Sequence, residues 1–382
     1  MKRSEDRILT THVGSLIRPR ALLDAIAATH AGSPPPEYLA TLRRSVAEIV
    51  REQVAAGLDI VNDGEFGKAD WANYALARMS GFEARPDSHA PADWLGSDRE
   101  RFADFMHETM PRAMAGFPAD ACVAPIRYLS TADIDRDAAN LKAAAQDAGA
   151  EDVFLTAVAP ASVGFDAVNE YYGSERDYVY ALADALREEY RAIHRAGIVL
   201  QVDDAVLANM YDHLTRQNPA KYRTWAGLRV EALNHALEGI PEDRVRYHIC
   251  FGSWHVPHVA DAPLEGFLDL MLSVNAGAYS IEAANVRHEH EVDVWDRVKL
   301  PAGKILIPGV ITHHTTTVEH PQLVANRIVK FASYVGRENI IAGADCGFAQ
   351  GEGLQRVHRQ IMWAKFESLA EGARLASAKL WN

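Results

Sequence analysis

Short apolar segments alternate with long amphipathic segments along most of the chain. Eight of the short segments are rich in β-branched residues and end in small or polar residues, which is typical of strands buried on both faces of a parallel sheet. Helical periodicity of the apolar positions predicts helices between them, most clearly at 38–56, 177–196, 222–237 and 321–335. The predicted strands cover 9–14, 59–62, 153–157, 199–202, 246–250, 279–281, 305–310 and 340–343.

Eight strand–helix units predict an α/β fold of the (β/α)8 TIM-barrel type. An open doubly wound sheet is less suitable, because no Gly-x-Gly-x-x-Gly sequence follows any predicted strand. About 90 residues separate the second strand from the third, far more than a strand–helix connection needs. We therefore predict an insertion at 82–150 that covers the barrel mouth and uses 121–128 in a short β ribbon of its own. Evenly spread charge and the lack of an internal repeat predict a single domain over 1–382.

The net charge and hydrophobic content of the chain indicate which classes of molecule it does not bind. The chain has 39 Lys and Arg against 52 Asp and Glu, so its formal charge is −13, and 48% of its residues are hydrophobic. This excess of acid argues against nucleic acid and anionic membranes as partners. No apolar run approaches the roughly 20 residues of a membrane-spanning helix, and none follows the basic residues at the start. We therefore expect a cytoplasmic protein without membrane partners, and the sequence leaves its oligomeric state open, a homo-oligomer included.

Cysteine, histidine and glutamate stand at neighbouring predicted strand ends. His248 and Cys250 are two residues apart and therefore share one face of their strand, while Glu282 and Cys346 follow two later strands. Two thiols, an imidazole and a carboxylate form a set that zinc accepts. The spacing matches no zinc finger, so the alternative of inert buried cysteines stays open. A third cysteine, Cys122, lies in the predicted insertion, and three cysteines are too few for a disulfide framework.

Acidic residues form a second group of strand-end candidates. Glu65 and Asp203 could hold an ammonium group through charge-assisted hydrogen bonds. The neighbouring Asp63 and Asp204 fit this role and that of a helix N-cap equally well. The segment 10–15 ends in a glycine and a serine, a pattern in which backbone amides bind a carboxylate.

Histidine pairs provide the remaining candidates. His313 and His314 follow the predicted strand 305–310, and we expect one to be a general acid and the other to be structural. The alternation His288-Glu289-His290-Glu291 is typical of metal sites only in an extended segment. We therefore favour a solvated loop or the start of a helix there.

Together, these residues identify a family resemblance. The chain resembles the catalytic C-terminal barrel of cobalamin-independent methionine synthase, in the superfamily that also holds uroporphyrinogen decarboxylase and the epoxyalkane:coenzyme M transferases. The resemblance extends over nearly the whole chain, and the order of its motifs makes it specific. The motifs are Thr10-Thr11-His12-Val13-Gly14-Ser15, Gly64-Glu65, Gln201-Val202-Asp203, His248-x-Cys250, Ile281-Glu282 and Asp345-Cys346-Gly347.

The resemblance implies a zinc-dependent transfer of a methyl or other alkyl group to a thiol, with homocysteine as acceptor and methionine as product. It implies that Glu65 and Asp203 hold the amino group of the acceptor and that His314 is the proton donor. The partners would be a small-molecule thiol and an alkyl donor. The implied carboxylate contacts are Val13, Gly14 and Ser15, and the implied zinc ligands are His248, Cys250, Glu282 and Cys346.

Two departures from the family pattern leave the alkyl donor open. Phe165 or Asp166 stands where the family has a folate-stacking tryptophan, and Asn209 replaces a glutamate that contacts the pterin. The donor is therefore not necessarily folate. An alternative is a zinc-dependent lyase or ring-opening enzyme of the epoxyalkane:coenzyme M transferase type, with the same zinc and thiol but another electrophile. A third interpretation is a non-catalytic protein that binds a thiol or a metal.

Overall fold

Short parallel strands lie at the centre of the fold. The computed structural model describes residues 1–29, 36–85, 89–90, 93–111, 114, 117–118, 120–163, 167–253, 255–351 and 353–382. Its strands in chain order are β1 (Leu9–Thr10), β2 (Ile60–Val61), β3 (Phe82–Glu83), β4 (His89–Ala90), β5 (Phe117–Pro118), β6 (Ala121–Cys122), β7 (Asp152–Val158), β8 (Val168–Asn169), β9 (Val199–Asp204), β10 (Val245–Ile249), β11 (Ala278–Ile281), β12 (Ile305–Ile311) and β13 (Ile341–Ala344).

Helices connect these strands and surround the sheet. They are α1 (Arg20–Thr29), α2 (Pro36–Ala55), α3 (Asp98–Arg101), α4 (Ala103–Thr109), α5 (Ala132–Ala148), α6 (Pro160–Val163), α7 (Glu175–Arg195), α8 (Val206–Gln217), α9 (Pro219–Ala236), α10 (Leu268–Leu272), α11 (Val294–Arg297), α12 (Pro321–Val335) and α13 (Arg359–Leu380). Short 3-10 helices include Asn73–Arg78 and Glu289–Asp293. Among the helices of the described residues, none combines the length and the apolar character that crossing a bilayer requires.

Eight of the strands form one parallel sheet in the order β1-β13-β12-β11-β10-β9-β7-β2. Along this sheet, from β2 to β13, each barrel strand lies beside the next barrel strand of the chain. The two end strands, β1 and β2, meet at a seam. There the Asp59 N–H donates to the Thr10 carbonyl at 3.1 Å, and Thr11 Oγ1 donates to the Ile60 carbonyl at 3.0 Å. The predicted (β/α)8 barrel is therefore confirmed, and every predicted barrel strand overlaps an observed one.

The amino-terminal half of the barrel interior is apolar. A cluster of eight buried residues fills it, with at least one member from most of the barrel strands. Above this cluster lies Arg246, fully buried, with its guanidinium 4.0 Å from the ring centroid of Phe154. Arg246 donates to Thr11 Oγ1 at 3.1 Å and to the His12 carbonyl at 2.8 Å. The packed interior leaves the carboxyl ends of the strands as the open rim of the barrel.

The chain between β2 and β7 contributes strands to two small sheets, one of which also includes β8, which follows β7. β6 pairs with β3 and β8, and β4 pairs with β5. Of the segment 121–128, predicted to form a short β ribbon of the insertion, only Ala121–Cys122 is a strand, and it lies outside the barrel sheet. Asp98 accepts hydrogen bonds from the Val259 and Ala260 N–H groups, at 2.6 and 2.9 Å. This segment therefore contacts the loop after β10, and a covering role for 82–150 and a single-domain organisation stay predictions.

A buried carboxylate fixes the region after β2 to the barrel. Glu189 on α7 is fully buried and accepts hydrogen bonds from the hydroxyl groups of Tyr74, at 2.7 Å, and Tyr128. Arg78 Nη1 donates to the same carboxylate at 3.3 Å and is itself 8% exposed. Removing Glu189 would leave a buried guanidinium without this counter-charge.

We expect Glu189→Ala to lower the free energy of unfolding by about 3–5 kcal/mol, because it breaks a buried ion pair and two hydrogen bonds. Denaturant titration followed by circular dichroism measures this loss. The neighbouring Glu188→Ala is the matched control, since Glu188 is exposed on the same helix and should show no measurable change. Equal stability of the two variants would refute the structural role of Glu189.

Candidate active site

The predicted site residues lie on the open rim of the barrel. Glu65 follows β2, His248 and Cys250 end or follow β10, and Glu282 and Cys346 follow β11 and β13. A side chain on Gly347 would approach Ser15 Oγ to 2.0 Å, and the Phe348 N–H donates to the Ser15 carbonyl at 2.8 Å. The loop after β1 is thus packed against the turn that carries Cys346.

Two thiols and an imidazole converge at this rim. Cys250 Sγ and Cys346 Sγ are 3.4 Å apart, and one ligand atom from each of these residues and from His248 lies within 4.8 Å of the others. His248 is 1% exposed, and its Nδ1 lies 3.2 Å from Ser280 Oγ. Its Nε2 has no hydrogen-bond partner among the described residues. A buried ring nitrogen without a partner is uncommon and indicates a ligand position.

The pKa values of the two thiols shift in opposite directions. The hydrogen bond with Cys346 lowers the pKa of Cys250 well below its ordinary value, although burial acts in the opposite direction. The same hydrogen bond raises the pKa of Cys346. The Gly252 N–H also donates to Cys250 Sγ at 3.3 Å. Cys250 is therefore the first thiolate of the pair.

Glu282 lies beside this group and is held by two donors. The Phe251 N–H donates to Oε1 at 3.0 Å, and Asn285 Nδ2 donates to Oε2 at 3.0 Å. The residue is 6% exposed, and burial followed by the negative charge of Cys250 raises its pKa well above the ordinary value. A nearby positive charge would favour the ionised carboxylate.

His313 and Asp345 form a second group with Glu282. One ligand atom from each of the three residues lies within 4.8 Å of the others, and all three residues are buried. Asp345 Oδ1 accepts hydrogen bonds from the Ala283 and Ala284 N–H groups, at 2.7 and 2.8 Å. Both ring nitrogens of His313 lack partners among the described residues, as does Asp345 Oδ2. Burial lowers the pKa of His313, so its ring is neutral.

The predicted ammonium contacts lie in a narrow part of the rim. Glu65 has a φ of +60°, and Thr156 Oγ1 donates to its Oε1 at 2.9 Å. Lys68 donates to Thr156 Oγ1 at 2.6 Å and to the Thr156 carbonyl at 2.7 Å. A side chain on Gly14, whose φ is +151°, would approach Glu65 Oε1 to 2.5 Å. Glycine is therefore required where the Glu65 carboxylate meets the loop after β1.

Asp203 links the Glu65 carboxylate to the cluster of His248, Cys250 and Cys346. It pairs with His248 across β9 and β10, so the two residues are neighbours on the sheet. Gln201 Nε2 donates to Asp203 Oδ1 at 2.7 Å and also to the Val13 carbonyl. Burial and the negative charge of Glu65 raise the pKa of Asp203 to about 7. A cation between these carboxylates would relieve their repulsion.

The two flanking aspartates have structural contacts. Asp204 Oδ1 accepts hydrogen bonds from the Val206 and Leu207 N–H groups at the start of α8, each at 3.1 Å. Asp63 Oδ1 accepts one from the Glu65 N–H at 2.9 Å. Asp204 therefore binds the first N–H groups of α8 from the residue before the N-cap Ala205, and Asp63 stabilises the turn that presents Glu65.

His314 lies next to His313, between β12 and α12. It is partly exposed, and its ring centroid lies 4.8 Å from that of His313 and 6.3 Å from that of His255. Burial and the charge of His258 lower the pKa of His314 to about 4. Its imidazole is therefore neutral near pH 7 and can accept a proton.

A cleft opens beside Phe251. Trp94 and Leu95 line one side, Asn209 on α8 lines another, and the loop after β10 completes it. The cleft therefore adjoins the residue that follows Cys250. Phe165 and Asp166, the other positions at which the sequence departs from the family pattern, lie outside the described residues.

Several side chains at the site are not evident from motifs. Ser280 lies beside His248 in the register of β10 and β11. Its position two residues before Glu282 on a strand was the available signal, because alternate residues share a face. Lys68 and Thr156 reach the site through tertiary contacts that no local pattern encodes. Asn285 contacts Glu282 locally, three residues further along the chain.

Comparisons with known proteins agree with this arrangement. Residues 170–364 match the family described as "Cobalamin-independent synthase, Catalytic domain". The methionine synthase of Thermococcus kodakarensis is 24% identical over 375 residues, which covers 97% of this chain and 94% of the relative. The methionine synthase of Sulfurisphaera tokodaii is also 24% identical over 375 residues, covering 98% and 94%.

A solved structure supports the fold. The B12-independent methionine synthase from Shewanella sp. W3-18-1 in complex with selenomethionine superposes with a TM-score of 0.73 at 18% identity, over 98% of this chain and 99% of that one. At this identity the likeness shows the barrel architecture alone. The family match spans just over half of the chain. The protein therefore belongs to the cobalamin-independent synthase family, which it matches through the catalytic domain.

Proposed function

We propose that this protein transfers a methyl or other alkyl group to the thiol of homocysteine, which yields methionine when the group is methyl. The observation that carries the proposal is the convergence of Cys250, Cys346 and the unpartnered Nε2 of His248. The carboxylates of Asp203 and Glu282 lie beside them. Two relatives agree with this proposal, since the similar proteins of T. kodakarensis and S. tokodaii are methionine synthases.

The residues fit a zinc ion. Sulfur and imidazole are the ligands that zinc prefers in proteins, and an unpartnered buried nitrogen gains a partner when it binds a metal. Cys250, Cys346 and His248 would hold the ion, with Glu282 as the fourth ligand. When bound, zinc lowers the pKa of a thiol so that the nucleophilic thiolate persists at neutral pH.

The acceptor is recognised as an amino acid. In this proposal Glu65 and Asp203 accept hydrogen bonds from its ammonium group, while Val13, Gly14 and Ser15 contact its carboxylate. The contact between Ser15 and Gly347 places this backbone next to the turn that carries Cys346. An amino acid bound there would direct a short thiol side chain toward the cysteine pair.

The barrel rim contributes mainly by orientation. Displacement at an alkyl carbon requires sulfur, carbon and leaving group in line, and holding them so removes an entropic barrier. The new sulfur–carbon bond forms as the bond to the donor breaks, and the donor leaves with the electron pair. His314, neutral near pH 7, can accept the proton that the thiol loses and then give it to the leaving group.

The cleft beside Phe251 is the proposed position of the donor. Asn209 lines it, where the family places a glutamate that contacts the pterin. This observation keeps the donor open and favours the alternative of a lyase or ring-opening enzyme that uses the same thiol with another electrophile. Identification of the product from homocysteine and candidate donors separates the two activities.

The purified protein should contain about one zinc ion per chain. Cys250→Ser and Cys346→Ser should each lose most of this zinc and the alkyl transfer activity, because serine is a poor ligand for zinc. Metal analysis and a product assay measure both effects. Cys122→Ala is the matched control and should keep both, since Cys122 lies in β6, outside the barrel sheet. Full zinc content and activity in either serine variant would contradict the proposed centre.

Glu65→Gln and Asp203→Asn should each weaken homocysteine binding about tenfold to a hundredfold, because each removes a charged acceptor from the ammonium group. Isothermal titration with L-homocysteine measures the change. Titration with 4-mercaptobutyrate, which lacks only the amino group, is the control and should give the same affinity in the wild type and the variants. A similar loss with both ligands would assign the two carboxylates another role.

A further inference from the structure

The Glu282 carboxylate has two hydrogen-bond donors, and each has a separate origin. One donor is the backbone N–H of Phe251, in the loop that follows Cys250. The other is the Asn285 side chain, three residues after Glu282 itself. Each donor is 3.0 Å from one carboxylate oxygen, so both oxygens are fixed. The orientation of Glu282 therefore depends on what holds these two donors in place.

The amide of Asn285 can have only one orientation. Its Oδ1 accepts hydrogen bonds from the backbone N–H groups of Arg287 and His288, both at 3.0 Å. Exchanging oxygen and nitrogen would place two donors face to face and turn the amide oxygen toward the Glu282 carboxylate. Nδ2 must therefore point to Glu282.

His288 supports both donors. Its backbone N–H donates to Asn285 Oδ1, and the centroid of its ring lies 3.9 Å from that of the Phe251 ring, with an interplanar angle of 31°. The side chain is buried between two carboxylates, with Nδ1 2.8 Å from Glu291 and Nε2 3.1 Å from Asp261. Carboxylates accept hydrogen bonds, so both ring nitrogens carry protons and the ring orientation is locked.

We propose that Asn285 and His288 are positioning residues that aim the Glu282 carboxylate at the metal centre. The inference rests on the proposed zinc site and adds to it two residues that touch neither the metal nor the substrate. Partners of this kind raise metal affinity by orienting a ligand, and their loss typically costs about tenfold to a hundredfold. The effect of Asn285 and His288 on the metal should pass through Glu282.

A double-mutant cycle tests this dependence with zinc affinity, measured by competition with a chelator. Asn285→Ser is the first variant, because serine can still accept backbone hydrogen bonds in the turn but is too short to reach Glu282. We expect it to weaken zinc binding about tenfold to a hundredfold with Glu282 present. In the Glu282→Gln background, the same substitution should have almost no further effect.

His288→Gln should weaken zinc binding in the same way, whereas His290→Gln should not. His290 is the matched control, since it is exposed two residues away. Asn285→Ala is a second variant of the same contact, and thermal unfolding of every variant without zinc monitors the fold itself. Additive effects of Asn285→Ser and Glu282→Gln would overturn the inference, as would unchanged zinc affinity in Asn285→Ser. Failure of the wild-type protein to bind zinc would instead overturn the proposed function.

Discussion

Closure of the eight-stranded parallel sheet is the constraint on which the candidate site depends. The seam is short, since β1 and β2 have two residues each and meet through Thr10, Thr11 and the segment from Asp59 to Ile60. Because all eight strands run in the same direction, their carboxyl ends meet on one rim. Residues more than 90 positions apart, such as Cys250 and Cys346, therefore come into contact. In an open sheet, β1 and β2 would lie at opposite edges, and the residues that follow them would be far apart.

The same rim concentrates acidic groups. It carries Glu65, Asp203, Cys346 and Glu282, which are buried, and Cys250, which is partly exposed. Burial raises the pKa of Glu282 and Asp203 above their ordinary values. The hydrogen bond with Cys250, together with burial, does the same to the pKa of Cys346. Burying such groups is costly unless cations compensate them. Lys68 and Arg246 provide part of this compensation, since both interact electrostatically with Asp203. In the proposed function, an ammonium group and a metal ion provide the rest.

The sequence was informative wherever the barrel itself determines position. The two-residue spacing of His248 and Cys250 and the strand ends before Glu282 and Cys346 place these residues on the rim once eight strands are recognised. The pattern at 288–291 predicted a solvated loop or a helix start. A 3-10 helix does begin at Glu289, but solvation was wrong for His288 and Glu291, which are buried. The pattern did not predict that His288 is buried between two carboxylates, because its partner Asp261 comes from another loop. Contacts between loops depend on the closed fold and have no periodic signal in the chain.

The central claim is that the acceptor thiol binds at the metal held by the cysteine pair. X-ray absorption at the zinc edge, recorded with and without L-homocysteine, tests it most directly because sulfur and nitrogen or oxygen ligands scatter differently. We predict a sulfur count of two from Cys250 and Cys346 in the free protein and of three with homocysteine bound. An unchanged sulfur count at saturating homocysteine would contradict the account.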